Sequence, residues 1–421
     1  MRNPGRALHP RTGPPKVGTV STSSVPRPEP TAPAGPLSRL RLPRPGGAGS
    51  PQGFLPALAL FAALRLAGIL AVVLANALRG RPLVGNLAHS WDSRWYLHIA
   101  THGYGHLIWI TPQGAVQTDW AFFPLYPALI RALTLPLPLT PGQAALLIAW
   151  TAACVAAYGV YLVGHRLYGR GVATALVALW AAVPHAVELT IAYTESLFAA
   201  LAAWALYCVL RGRWVWAGTL AALAGLSRPS GFAVAVAVSL AAGHEALRRR
   251  GRVPARLWAG ALVAPLGWLG YVLWVGSRTG DVLGGYFTVQ SAWDSRFDFG
   301  AGSVRFLKAL LLHGGGVVYP AALLIVTAGL LLFALLCLER APLALVVFSG
   351  VLVLLVIGGS GSFSSKPRFL LPAFPLLIPM ARALARTWWL RRSPAVVVYG
   401  ALALLSLLSG AYVMAVAHSP L

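Results

Sequence analysis

The chain carries only ten carboxylates in 421 residues, so each can be weighed singly for chemistry. The densest reactive stretch is Trp91-Asp92-Ser93-Arg94-Trp95-Tyr96-Leu97-His98-Ile99-Ala100-Thr101-His102-Gly103-Tyr104. At helical spacing Trp91, Trp95, His98 and His102 share one face, and Asp92, Tyr96 and Ile99 another. An amphipathic helix at a lipid–water boundary accounts for the tryptophans. It does not account for a lone acid beside them, which suits a proton-accepting role. His98, His102 and His106 are spaced four apart, as metal ligands on one helical face would be. Gly103 and Gly105 interrupt that helix, so no metal is expected there. Asp119, which opens Asp119-Trp120-Ala121-Phe122-Phe123-Pro124-Leu125-Tyr126-Pro127, reads as a helix N-cap or a second acid. Glu195, in Tyr193-Thr194-Glu195-Ser196, sits near the end of an apolar run, as a functional acid or as the partner of an arginine. Arg228 lies in Gly225-Leu226-Ser227-Arg228-Pro229-Ser230-Gly231, and Lys366 and Arg368 lie in Lys366-Pro367-Arg368-Phe369. Cations at a membrane surface either grip a lipid phosphate or snorkel toward headgroups.

The elements that must position these residues are membrane spans. Hydrophobic residues make up 57% of the chain, charged residues 10%, and the mean hydropathy is +0.69. A soluble domain is about 25% charged, so a soluble enzyme is excluded. Apolar runs of spanning length occupy 54–78, 142–164, 172–187, 191–210, 214–227, 230–245, 257–276, 316–338, 341–358, 369–386 and 394–417. The expected fold is therefore all-α, a polytopic transmembrane bundle of about eleven spans. The stretch 121–138 is apolar too, but Pro124, Pro127, Pro136, Pro138 and Arg131 mark it as a helix on the membrane surface. The cysteines Cys154, Cys208 and Cys337 all lie in apolar runs and read as small buried hydrophobes. Arg outnumbers Lys 31 to 3, a bias that suggests a high-GC bacterial genome.

The net charge of +24 follows from topology, not from nucleic-acid binding. With the N-terminus inside, 22 of the 34 Lys and Arg fall on the cytoplasmic side, as the positive-inside rule requires. Residues 1–50, rich in Pro and Arg, are expected to form a disordered cytoplasmic tail without a signal peptide. Residues 51–421 then form one membrane domain with two long outer loops, 79–141 and 277–315. Asp92, Asp119, Glu188, Glu195, Asp281, Asp294 and Asp298 gather outside or at outer span ends, where chemistry on the outer face would use them.

These stretches, in this order, resemble the PIG-V-like mannosyltransferases of the GT-C class, over roughly residues 54–400. The resemblance rests on Trp91-Asp92 with His102-Gly103-Tyr104, Ala121-Phe122-Phe123-Pro124 with Tyr126-Pro127, and Tyr193-Thr194-Glu195-Ser196-Leu197-Phe198. Ser227-Arg228-Pro229-Ser230-Gly231 and Arg368-Phe369 with Pro372 and Pro375 complete it. Family members often carry Glu before His-Gly-Tyr, where this chain has Thr101. The resemblance implies a GT-C bundle with amphipathic helices in the first outer loop, and a bacterial member of actinobacterial type. It implies an enzyme of the cell membrane that moves mannose from a polyprenyl-phosphate-linked donor to a lipid, glycan or protein hydroxyl on the non-cytoplasmic face, with no cofactor or metal. Asp92 is then the expected base. Asp119, Glu195, His102 and Tyr104 are expected as a second acid or substrate contacts, and Arg228, Arg368 and Lys366 as ligands of the donor phosphate. Because the leaving group is already a phosphate, one carboxylate suffices, and direct displacement inverts the anomeric centre. The competing reading is a transporter or lipid flippase, which explains the spans but not the polar residues concentrated in the first outer loop.

Overall fold

The computed structural model describes Gly13 and residues 51–250, 253–314 and 316–417. Apart from Gly13, the expected tail 1–50 lies outside the described residues.

The chain opens with α1 (Leu55–Leu78), followed by α2 (Gly85–His89), α3 (Ser93–His102), a hairpin of β1 (Ile108–Ile110) and β2 (Val116–Thr118), and α4 (Leu125–Thr134). Next come α5 (Pro141–Tyr168), α6 (Arg170–Ala181), α7 (Glu195–Leu210), α8 (Trp214–Gly225), α9 (Phe232–Arg248), α10 (Ala255–Val263) and α11 (Leu266–Thr279). The remainder is α12 (Gly285–Ala292), α13 (Ala301–His313), α14 (Val318–Leu338), α15 (Leu343–Gly358), α16 (Lys366–Leu370), α17 (Ile378–Leu390) and α18 (Arg392–Ala415). The hairpin, in the register Ile108 opposite Thr118, is the only sheet among the described residues. The fold is thus an all-α membrane bundle.

Every expected span falls on a helix, but not as eleven uniform crossings. Six helices are long and apolar enough to cross a membrane. A seventh would be the pair Phe363–Leu370 and Phe374–Leu390, bent by 77°. Pro372 and Pro375 break this run, because proline removes a donor and clashes with the preceding turn. The helices α6, α7, α8 and α15 have only 12 to 16 residues. At 1.5 Å per residue they reach about 18–24 Å, short of the roughly 30 Å hydrocarbon core. The helix α4 is shorter still, and buries Tyr126, Pro127 and Ile130 on one side. It fits the expected surface helix.

Small residues bring the helices together, as in membrane packing generally. The helices α5 and α7 pack together and bury alanines, Ala152, Ala153 and Ala156 on one and Ala199, Ala202 and Ala203 on the other; a Cβ on Gly159 would lie 3.0 Å from that of Ala203. Between α8 and α10 a Cβ on Gly218 would lie 2.2 Å from the Gly260 carbonyl oxygen, so the backbones touch and only glycine fits. Arg65, inside α1, is buried and donates to the carbonyls of Ala181 and Ala186. Its two terminal nitrogens meet carbonyls at and beyond the C-terminus of α6, while its Nε has no partner. The two expected outer loops meet: Gln290 Nε2 donates to the Ala121 carbonyl at 2.9 Å, and Trp293 Nε1 to that of Thr118 at 3.3 Å. They therefore lie on the same side of the bundle.

Candidate active site

The helix α6 stops at Ala181, ahead of Pro184, and α7 starts only at Glu195. The intervening stretch, with a short turn at Ala186–Leu189, is almost wholly buried. It holds Glu188 and Tyr193, and it faces the start of α3 and the α16 bend. The site is assembled from these three irregular pieces.

Asp92 sits at the N-cap position of α3, where an aspartate usually folds its carboxylate onto the free N–H groups of the first turn. Here it makes no such cap. Its Oδ2 accepts from Arg368 Nη1 at 2.7 Å, and the two side chains are 25% and 17% exposed. Its backbone N–H donates to the Tyr193 hydroxyl at 3.3 Å. The preceding Trp91 has φ 43°, a strained conformation for a bulky residue that turns the chain into α3. The Arg368 guanidinium lies over the rings of Tyr193 and Phe369, at 5.8 and 5.3 Å, and its Nε is buried without a partner. The pair is thus held in place but still reachable, with donor capacity unspent.

Behind it lies a second, fully enclosed pair. Glu195 Oε1 is 2.8 Å from Arg228 Nη1, with side chains 3% and 5% exposed. Arg228 packs between Phe198 and Phe369, at 5.8 and 5.3 Å. Arg228, expected to face a donor phosphate, turns its charge toward Glu195 in this structure. Lys366 was expected at the same phosphate. It is buried, with its Nζ donating to Ser303 Oγ at 2.7 Å and to the Gly359 carbonyl at 2.8 Å. Its ammonium fastens α13 to the end of α15 instead of joining Arg368.

Asp119 is fully buried, and its carboxylate accepts from the backbone N–H groups of Gly105, His106 and Leu107 at 2.9 to 3.3 Å. These three donors hold the loop that follows α3 against the carboxylate, a shaping contact beside the expected role as a second acid. His102 ends α3; its Nδ1 meets Thr101 Oγ1 at 2.7 Å, and its ring stacks on His98. Tyr104 donates to the Phe122 carbonyl at 2.7 Å. His102 and Tyr104 belong to the far end of α3, about 15 Å from Asp92 at helical rise. Among the described residues no group of three or more His, Cys, Asp or Glu is placed to hold a metal.

One acid of the site was not singled out from sequence. Glu188 is 1% exposed, and its Oε2 has no partner. Burial and then the Glu195 carboxylate push it well above the usual carboxylate range, against the opposing pull of Arg368 and Arg228. The only signal in the sequence was its place seven residues before Glu195, beside a helix-breaking proline.

No family model and no curated protein matches the chain. Solved structures do. The all-α bundle matches them in fold. It is similar to ArnT from Cupriavidus metallidurans bound to undecaprenyl phosphate, with a TM-score of 0.54 and 15% identity over 87% of this chain and 78% of that one. It is also similar to the Archaeoglobus fulgidus oligosaccharyltransferase in complex with Zn and sulfate, with a TM-score of 0.52 and 17% identity over 86% and 54%. The chain spans about half the length of that oligosaccharyltransferase. At such identities the likeness is one of fold.

Proposed function

We propose that the chain is an inverting glycosyltransferase that moves mannose from a polyprenyl-phosphate-linked donor to an acceptor hydroxyl on the non-cytoplasmic face of the cell membrane. The observation that carries this reading is the Asp92–Arg368 pair: a carboxylate released from its capping duty, joined to one guanidinium, at a partly open site. The likeness in fold to a protein bound to undecaprenyl phosphate supports a lipid-phosphate donor, and the PIG-V-like motifs support mannose.

In this mechanism the acceptor oxygen attacks the anomeric carbon while the bond from that carbon to the phosphate oxygen breaks. Asp92 takes the acceptor proton. The departing polyprenyl phosphate gains a negative charge, and Arg368 is placed to stabilise it through charge-assisted hydrogen bonds. Arg368 thus serves the acid in the resting site and the phosphate during transfer. Arg228 and Glu195 hold the floor on which Arg368 lies.

The test is to incubate purified protein with polyprenyl-phosphate-mannose and candidate acceptors, and to follow products by mass spectrometry. A hexose-bearing acceptor with an inverted anomeric centre supports the reading. Movement of intact lipid across vesicles without sugar transfer would replace it with a flippase. The facing is tested separately by cysteine labelling in a background free of native cysteines. Position 114 should label from outside and position 250 should not; the reverse pattern would overturn the placement of the site.

A further inference from the structure

A cavity of about 300 Å³ lies between the end of α6, α14, the α16–α17 bend and α18. Its wall is built from residues such as Trp180, Gly329, Leu332, Leu370 and Phe374, with His185 among them. Trp180 spends its Nε1–H on the Leu371 carbonyl at 2.9 Å. His185 is 8% exposed, and neither ring nitrogen has a partner. A buried polar group without a partner is costly, and a neutral imidazole carries one donor and one acceptor to be satisfied. Along α14 the cavity opens past Leu324, which is 71% exposed, so in a bilayer it meets lipid chains.

We propose that this cavity binds a glycerolipid of the membrane, its acyl chain lying against the apolar wall and its ester carbonyl accepting a hydrogen bond from His185. Three features select that occupant. First, His185 lies in the non-helical stretch beyond the end of α6, just before the turn that carries Glu188. By the expected topology this is the outer end of the apolar run 172–187, the depth at which glycerol esters sit. Second, no Lys, Arg, Asp or Glu lines the cavity, so a phosphate has no cation to meet there. Third, a polyprenyl chain has no hydrogen-bonding atom beyond its phosphate, and would leave His185 unsatisfied. The proposal requires a membrane-embedded chain, not sugar transfer.

The experiment compares phosphatidylcholines with identical chains joined by ester or by ether linkages, which differ only in the carbonyl. The full chain is reconstituted with each, and retained lipid is counted by native mass spectrometry. Wild type should retain the ester lipid roughly 2- to 10-fold better, the affinity equivalent of one net hydrogen bond. His185→Leu should lose the preference, and His185→Gln, which keeps a donor, should retain part of it. Ala328→Phe fills the cavity from the lipid-exposed side of α14. It leaves His185 in place and should lose both lipids, which keeps the proposal testable if His185→Leu does not fold. Equal retention of ester and ether lipids by wild type, or a preference that survives in His185→Leu, would overturn it. Displacement of the ester lipid by undecaprenyl phosphate would also overturn it, by making the cavity part of the donor site.

Discussion

An aspartate stands beside each end of α3, Asp92 just before it and Asp119 from the turn after β2, and the two are used in opposite ways. At the far end Asp119 is enclosed and accepts from three backbone N–H groups. It fixes the turn that leaves the helix through Gly103 and Gly105, both at positive φ. At the near end Asp92 leaves the helix N–H groups alone and reaches a single arginine across the bundle. A carboxylate saturated by backbone donors holds shape. One with a single charged partner and a quarter of its surface open can exchange that partner for a substrate. Both are aspartates beside tryptophan, so only their partners tell them apart.

Several substitutions would break or sharpen this contrast. The largest effect is expected from Asp92→Asn, which keeps the shape but cannot take a proton. Turnover per folded molecule should fall by about 10²–10⁴-fold, with melting temperature little changed. Normal turnover would remove Asp92 as the base. Arg228→Ala comes next, because it strands Glu195 in an enclosed site. A loss of about 3–5 kcal/mol is typical for breaking a buried pair, and Glu195→Gln in the same chain should recover part of it; thermal unfolding in nanodiscs reads both. Asp119→Asn should cost about 2 kcal/mol through weakened charge-assisted hydrogen bonds, while turnover per folded molecule holds. A fall in turnover without a fall in stability would return Asp119 to the chemistry.

The smallest effect is expected at Glu188, and it depends on pH. Its acid form is favoured in the folded protein, so its stabilising contribution is complete below the ordinary carboxylate range. It is lost as pH rises toward the elevated folded value, because the unfolded chain then gives up its proton first. Glu188→Gln should therefore melt near wild type at pH 4 and progressively above it as pH rises. A constant difference across that range would show that Glu188 is ionised in the fold.

Much of the bundle was legible because apolar runs and proline positions act locally. The runs located the helices, and the density of proline in 121–138 distinguished a surface helix from a span. Helix ends were less legible: 172–187 and 191–210 read as continuous spans, yet the chain is irregular from 182 to 194. Only packing against α3 and α16 shows why, since that stretch carries Glu188 and Tyr193 into the site. Pro372 and Pro375 were visible as part of a motif, but the 77° bend they produce was not. In the site, Asp92 and Arg368 could be named from residue type and position. The sequence offered Glu195 as the partner of an arginine without singling out Arg228, and the burial of Lys366 against Ser303 was not legible, because these partners are remote in sequence and no local pattern pairs them.

The contact between Asp92 and Arg368 also has a consequence for biosynthesis. Its partners are separated by 276 positions, so the acid is made early and its cation near the end. Until α16 has left the ribosome and settled against α3, a growing chain has a carboxylate with no guanidinium beside it. On the proposed function, donor lipid met during insertion would find no completed site, and competence would arrive in a single late step, when most of the bundle is already in the membrane.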